Sequence, residues 1–114
     1  MKAVIQFIKG IEETTIPIIN ITRSTDGTTG TATFVFEDAR IFYTEISTQS
    51  EITGMFLNDS EGTLMTKDIS VKFMRGKPKI LQAIYIMKNI EAWDRFMRFM
   101  ERYSEENKLT FIRA

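Results

Sequence analysis

Apolar and polar residues alternate along much of the chain, a pattern typical of half-buried β-strands. In Thr31–Glu37, the side chains of Ala32, Phe34 and Phe36 share one face, and polar threonines lie on the other. A face that carries threonines tolerates water, so this segment predicts an antiparallel sheet with one solvated face. Comparable segments predict further strands, at Val4–Ile8, Pro17–Arg23, Ile52–Leu57, Thr63–Met74 and Lys79–Met87.

Turn-forming residues separate these segments. Asp26-Gly27 opens one turn, Asn58–Gly62 is predicted to be a hairpin loop, and Arg75–Pro78 forms another turn. Arg40–Ser50 has no clear period, and the polar residues Thr44–Glu51, which overlap its second half, are predicted to form a loop. Most connections are too short for a helical crossover between parallel strands, which again favours antiparallel pairing.

The period changes from two to about 3.6 after Met87. Asn89 can cap a helix, and Glu91 lies in the first turn, where the helix dipole favours a negative charge. Apolar residues then recur three or four positions apart, at Ile90, Trp93, Phe96, Met97, Met100 and Tyr103. This spacing predicts one helix over Ile90–Glu105 with a single apolar face.

The opposite face of the predicted helix carries Glu91–Arg95 and Asp94–Arg98, two oppositely charged pairs at i,i+4 spacing. After the helix, Leu109–Ile112 is predicted to return briefly to the sheet. The predicted fold class is therefore α+β: a mainly antiparallel β-sheet with one long C-terminal helix packed on one face.

The core of this fold is predicted to form between the helix and the sheet. Trp93 and its neighbours on the apolar face of the helix are expected to pack on the phenylalanines at positions 34, 36 and 73.

Length and composition narrow the function classes. The 114 residues predict a single domain, residues 1–114. No cysteine and no histidine is present, which removes disulfides, thiolate metal sites, a thiol nucleophile and the commonest general base. Fifteen basic and fifteen acidic residues give a net charge of zero, so no overall field attracts nucleic acid or anionic lipid.

No motif points to catalysis, a metal or another cofactor. The serines have no histidine to activate them, Asn58–Gly62 lacks the ligand spacing of a calcium loop, and Gly27–Gly30 lacks the lysine of a phosphate loop. A binding protein is the first interpretation. Two alternatives stay open: a small enzyme that uses carboxylates, which needs a pocket with a shifted carboxylate pKa, and a sheet that binds single-stranded nucleic acid through aromatic residues.

The tract Trp93–Tyr103, with the sequence WDRFMRFMERY, carries a resemblance to a known family. It is similar to the C-terminal helix of the photosystem II reaction centre Psb28 family. Other short stretches match that family in order, at Thr22–Ser24, Gly30–Phe34, Ile52–Met55, Gly76–Pro78 and Tyr85–Lys88. The chain departs from the family at Arg40–Gln49, and it has Lys108 where a glycine is usual after the helix.

This resemblance implies a small, non-enzymatic assembly factor without a cofactor. Such proteins attach peripherally to the cytoplasmic or stromal face of the thylakoid membrane. They bind immature photosystem II near its inner antenna and reaction-centre core subunits, and they leave before the complex matures. The resemblance also implies a link to the biogenesis of chlorophyll-binding subunits.

Unprotected sheet edges suggest how such a protein docks. Thr31–Glu37 contains no Lys, Pro or internal Gly, so at an edge it could pair with an extended segment of a partner through Thr31 and Thr33; the alternative is a central position. Thr63–Met74 is the second candidate edge.

Charged residues near strand ends and one aromatic residue complete the candidate docking set. Arg23, Arg75 and Lys77 are predicted to pair with acidic groups of the partner, or else to be solvated surface charges. Phe99 lies at the boundary of the apolar face of the predicted helix, where it contacts a partner or is partly covered.

Membrane attachment is expected to be indirect. The net charge is zero, no segment approaches the roughly 20 apolar residues of a membrane span, and the N-terminal residues do not resemble a secretory signal. Low intrinsic affinity for lipid follows, with attachment through the protein complex.

Overall fold

The structure is a computed structural model that describes residues 2–44 and 52–109. Within these ranges the chain forms strands and one α-helix: β1 (Val4–Ile8), β2 (Ile11–Glu12), β3 (Ile18–Arg23), β4 (Gly30–Glu37), β5 (Met55–Asp59), β6 (Gly62–Thr66), β7 (Ile69–Met74), β8 (Lys77–Met87) and α1 (Ile90–Glu106). A short 3₁₀ helix, Arg40–Tyr43, follows β4. The predicted α+β class is confirmed, and every strand pair is antiparallel.

The strands form two four-stranded sheets where one was predicted. The first sheet has the order β2-β1-β5-β6, and the second has the order β3-β4-β8-β7. Their inner faces meet at the rings of Phe7 and Phe36, whose centroids are 5.0 Å apart in an edge-to-face arrangement. Both rings are almost fully buried, so the core lies between the two sheets and the helix.

Strand β4 occupies the centre of the second sheet. It pairs with β3 along one side, from Ile18↔Val35 to Arg23↔Gly30, and with β8 along its whole length on the other. The prediction that β4 could be a free edge is therefore wrong, and the central alternative is confirmed. A central strand needs no Lys or Pro because its backbone groups are already paired.

The predicted long strand Thr63–Met74 is two strands in different sheets. The chain leaves β6 of the first sheet at Thr66 and enters β7 of the second sheet at Ile69. The Thr66 hydroxyl donates to the carbonyl of Ile84 at 2.6 Å, and the Ile84 N–H donates to the carbonyl of Asp68 at 2.9 Å. These bonds hold the crossing segment against β8, so that the predicted single strand contributes one strand to each sheet.

Helix α1 begins and ends close to its predicted bounds. The Asn89 side chain accepts a hydrogen bond from the N–H of Ala92 at 2.8 Å, which confirms the predicted N-cap. Phe96 packs edge-to-face on Phe34, with centroids 6.1 Å apart, and stacks on Tyr85 at 5.3 Å. The predicted packing of the helix on the phenylalanines of β4 is confirmed at this contact.

The prediction that Phe73 belongs to the core is wrong, since 53% of Phe73 is exposed. Val71 pairs with Leu81 of β8, where β4 still lies on the other side of β8, and it packs against the core. Phe73 pairs with Pro78, past the last β4–β8 pair, Glu37↔Ile80, so it lies where the β7–β8 hairpin extends beyond the rest of the sheet.

The end of the helix uses a lysine in a backbone conformation that favours glycine. Lys108 has φ of +57°, and the N–H of Leu109 donates to the carbonyl of Ser104 at 2.8 Å. This 6→1 bond is characteristic of a Schellman C-cap. The predicted return strand at Leu109–Ile112 lies mostly outside the described residues, as does most of the loop predicted at Thr44–Glu51.

The Lys108→Gly variant is expected to be more stable than the wild type by about 0.5–1 kcal/mol. Glycine removes the steric cost of the left-handed conformation, and this gain exceeds the loss from greater freedom in the unfolded chain. Urea unfolding measures the difference. Lys88→Gly, at an exposed position without a positive φ, is the control and is expected to lose stability. A Lys108→Gly variant that unfolds at lower urea than the wild type contradicts the assignment.

Candidate docking surfaces and the arginine–acid cluster

An arginine–acid cluster joins helix α1 to the β5–β6 hairpin. Arg95 donates to both carboxylate oxygens of Asp59, at 2.9 Å and 2.6 Å, and Arg102 donates to Asp59 Oδ2 at 2.9 Å. Arg98 forms a two-bond contact with Glu61, with both distances 2.9 Å, and Arg102 also reaches Glu61 at 2.6 Å. The three arginines are spaced along one helix face so that all reach the two acids of one hairpin turn.

The electrostatics of the cluster favour the charged form of both acids. Burial opposes the charged form of Asp59, but hydrogen bonds from Arg95, from the Glu61 N–H and from Arg102 hold its pKa below the usual range. The same kind of contact with Arg98 and Arg102 lowers the pKa of Glu61 to about 2. A general acid needs a raised carboxyl pKa, so these two acids have the character of structural ion pairs rather than catalytic groups.

The structure also bears on two other kinds of site, a metal site and a sheet that binds single-stranded nucleic acid. Within residues 2–44 and 52–109, no group of three or more Asp or Glu side chains is arranged to hold a metal ion. A sheet that binds single-stranded nucleic acid displays its aromatic residues on the open face. On the central strand β4, Phe34 and Phe36 instead point into the core, with no exposed surface.

Among residues 2–44 and 52–109, no helix has the length and apolar character needed to cross a membrane.

The turn between β7 and β8 carries exposed apolar and basic side chains next to one another. We call it the hairpin tip and define it as Tyr43, Lys72, Phe73, Met74, Arg75 and Lys77. Arg75 and Gly76 have φ of +54° and +80°, which allow the tight two-residue turn. Tyr43 comes from the 3₁₀ helix and lines an open groove of about 520 Å³ together with Met74, Arg75 and Lys77.

The structure brings together two of the predicted docking residues, Arg75 and Lys77, at this tip. It separates them from Arg23, which is held by contacts within the chain. The Arg23 Nε donates to the carbonyl of Gly27 at 3.1 Å, and its guanidinium carbon lies 4.6 Å from the Trp93 ring centroid. Arg23 therefore covers the core tryptophan through a cation–π contact.

Thr31 and Thr33 lie on the outer face of the second sheet, half-buried between their neighbours on β3 and β8. Their backbone groups belong to a central strand, so only their side chains remain for a partner.

Phe99 lies in the core with no exposed surface, and its ring stacks on Tyr103 at 5.8 Å. The expectation that it sits at the boundary of the apolar face is wrong, and its ring offers no surface to a partner. The physical reason is the second sheet: with sheets on both sides, a wider arc of the helix is covered than a single sheet could cover.

Sequence reasoning missed the partners of the helix arginines and the apolar part of the hairpin tip. The i,i+4 rule paired Arg95 and Arg98 with acids of the helix itself, whereas their closest bonds go to Asp59 and Glu61. The signal for the tip was the run of basic and apolar residues at positions 72–77, which overlaps a predicted turn. Regular alternation assigned Phe73 to the core because the sequence does not show where β4 ends relative to the β7–β8 hairpin.

Comparison with known proteins shows similarity over almost the entire chain. The family model described as "Psb28 protein" matches residues 5–111. A "Photosystem II reaction center Psb28 protein" from Thalassiosira pseudonana is 55% identical over 114 residues, which is 100% of both chains. Proteins of the same name from Gracilaria tenuistipitata var. liui and Nostoc punctiforme are 55% and 48% identical over 112 residues; these alignments cover 98% of this chain, and 98% and 97% of the respective relatives.

Proposed function

The chain belongs to the Psb28 protein family, and from this premise we propose that it is a non-enzymatic assembly factor that binds immature photosystem II. In this proposal the protein attaches peripherally to the thylakoid membrane, on its cytoplasmic or stromal side. It assists the biogenesis of the complex and of its chlorophyll-binding subunits, and it leaves before the complex matures. The observation that carries the proposal is the full-length similarity to proteins named for photosystem II.

The proposed partners are core subunits of photosystem II, namely the inner antenna and reaction-centre proteins. A binding role is supported by the use of Asp59 and Glu61 as partners of structural ion pairs. Asp59 and Glu61 are committed to arginines of the same chain, and the cluster fixes the helix to the sheet. A rigid domain of this kind can present its surfaces to a partner without rearrangement.

We propose that the partner docks by adding a strand to the second sheet at β3. The two edges of this sheet differ. β7 carries Lys72, which discourages pairing with another chain, whereas Ile18–Arg23 contains no lysine. Pro17 only precedes β3, and Ile18, at its start, is 66% exposed. The open backbone of β3 would supply hydrogen bonds, and side chains on the exposed face would supply selectivity.

Affinity capture after pulse labelling tests the proposed function. Tagged protein, expressed in cells that make photosystem II, is expected to capture labelled core subunits early in the pulse and to lose them during the chase. Constant capture of mature, unlabelled complexes contradicts an assembly role. Capture of no photosystem II subunit contradicts the proposed function as a whole.

The docking mode is tested separately in the captured complex. Hydrogen exchange is expected to show new protection along β3, and protection confined to α1 contradicts the β3 mode. Asn20→Lys places a charge on the β3 edge and is expected to abolish capture, whereas the matched Ser70→Lys on β7 is expected to preserve it. Both positions are exposed, so neither change is expected to unfold the chain.

A further inference from the structure

The hairpin tip exposes large apolar side chains at the end of the β7–β8 hairpin. Phe73 is 53% exposed and Met74 60% exposed, at the end of the β7–β8 hairpin, and Tyr43 beside them is 71% exposed. Phe73 and Met74 lie where the β7–β8 hairpin extends past the last β4–β8 pair, Glu37↔Ile80, and the tight turn at Arg75 and Gly76 closes this end. Large apolar side chains gathered at one exposed site point to an interaction surface.

The charges of the tip are of one sign. Among the described residues, Lys72, Arg75 and Lys77 take part in no ion pair, whereas nearby Lys79 is held by Asp38 at 2.9 Å and lies 3.9 Å from Glu37. Asp38, which lines the same groove, and Glu37 are thus engaged by Lys79, and three basic side chains remain available. In a chain of zero net charge, this is a local excess of positive charge.

We propose that the hairpin tip contacts an anionic lipid bilayer, with Phe73 and Met74 entering the interface and Lys72, Arg75 and Lys77 beside the lipid headgroups. A bilayer surface is negative at the headgroups and apolar a few ångströms below, so it matches basic and apolar side chains that radiate from one turn. Tyr43 has the aromatic ring and hydroxyl group that suit the boundary between these layers.

The contact is weak, and it orients the domain rather than anchoring it. A basic residue near an anionic surface raises the partition coefficient about fivefold, so three such residues contribute roughly a hundredfold. This fits the low intrinsic lipid affinity expected from zero net charge. A protein partner in the same membrane raises the effective concentration of the tip at the lipid surface, so two weak contacts reinforce each other.

Vesicle sedimentation with the full chain alone tests the proposal independently of any photosystem. The wild type is expected to bind vesicles of phosphatidylcholine and phosphatidylglycerol weakly, and vesicles of phosphatidylcholine alone much less. The triple variant Lys72→Gln/Arg75→Gln/Lys77→Gln is expected to lose about a hundredfold in partition coefficient. Phe73→Ser/Met74→Ser is expected to lose about tenfold, because it removes the inserted apolar surface.

Matched variants distinguish the tip from general electrostatics. Lys67→Gln/Lys88→Gln/Lys108→Gln removes the same charge from exposed positions elsewhere, and Met65→Ser/Ile86→Ser removes exposed apolar side chains elsewhere. Ile86, at a 56% exposed position, is chosen for the apolar control rather than Ile18, because Ile18 belongs to the proposed docking strand. Both control variants are expected to bind like the wild type, with circular dichroism confirming that every variant is folded. Equal loss in the tip and control variants overturns the proposal. A wild type that binds both vesicle types equally also overturns the proposal. A tip variant that loses photosystem II capture but keeps its vesicle binding overturns it as well, and would assign the tip to an acidic protein.

Discussion

Trp93→Ala is expected to destabilise the protein by about 3–5 kcal/mol, a large share of the roughly 5–15 kcal/mol that holds a typical domain together. Only 2% of Trp93 is exposed. Its ring lies so close to β4 that a Cβ on Gly30 would be 2.4 Å from Cζ3 of Trp93. Removing the ring leaves a cavity between helix and sheet and strips Arg23 of its aromatic partner. Thermal unfolding should show a fall in Tm of more than about 10 °C.

Two controls tie this loss to the contact between Trp93 and Gly30. Ile90→Ala, on the same helix but at a 47% exposed position, is expected to cost less than about 1 kcal/mol. Gly30→Ala is expected to be strongly destabilising in the wild type and less so in the Trp93→Ala background, because the ring that its methyl group would strike is then absent. A Trp93→Ala melt that coincides with that of the wild type contradicts this placement.

Asp59→Ala is expected to cost about 3 kcal/mol, the second largest effect. The Asp59 side chain has no exposed surface, and it accepts hydrogen bonds from Arg95, Arg102 and the N–H of Glu61. Without it, Arg95, whose side chain is only 16% exposed, keeps its charge in a nearly buried place with Glu61 at 3.8 Å as the remaining acid. Removing one partner of a buried ion pair lowers the free energy of unfolding by much more than the intact pair contributes to it.

The acid dependence of stability provides a second measurement on the same cluster. Because the pKa values of Asp59 and Glu61 are lowered in the folded state, the unfolded chain binds more protons as the pH falls. Their contribution is therefore fully present above about pH 5 and is lost progressively toward pH 2. Asp59→Asn is expected to unfold more easily at neutral pH and to lose less stability than the wild type on acidification.

Glu12→Ala is the control for the cluster, since it breaks the ion pair between Lys2 and Glu12, whose side chains are 59% and 38% exposed. It is expected to cost less than about 1 kcal/mol. An Asp59→Ala variant no less stable than Glu12→Ala would show that the cluster does not hold the helix to the hairpin.

Features that depend on a few neighbouring residues could be predicted from the sequence. The helix cap at Asn89, the hairpin at Asn58–Gly62 and the inward face of β4 are each fixed by local chemistry: a side chain that bonds nearby N–H groups, residues that favour tight turns, and alternation with a period of two. The similarity of the tract Trp93–Tyr103 and of the other matching stretches to the Psb28 family was also present in the sequence, and the family model confirms it.

The candidate docking surfaces depended on contacts between distant residues, and there the sequence was a weaker guide. Arg75 and Lys77 were selected as charges near strand ends, and the fold joins them to Tyr43, more than thirty positions earlier in the chain. Thr31 and Thr33 were selected for an edge that the fold places at the centre of a sheet. The residues of a strand do not determine how many strands will pair with it, because pairing also depends on the other strands.

The sequence by itself determined the fold class, most of the strands, the helix with its start and end, and the family. Only the tertiary structure decided that the strands form two sheets, that Phe99 is buried, that Asp59 and Glu61 rather than helix acids bind the arginines, and that Phe73 is exposed. The physical reason is the range of the interactions. Periodicity records which side of an element is apolar, whereas the length of a neighbouring strand, a second covering sheet or a cross-element ion pair depends on what the rest of the chain places beside that element.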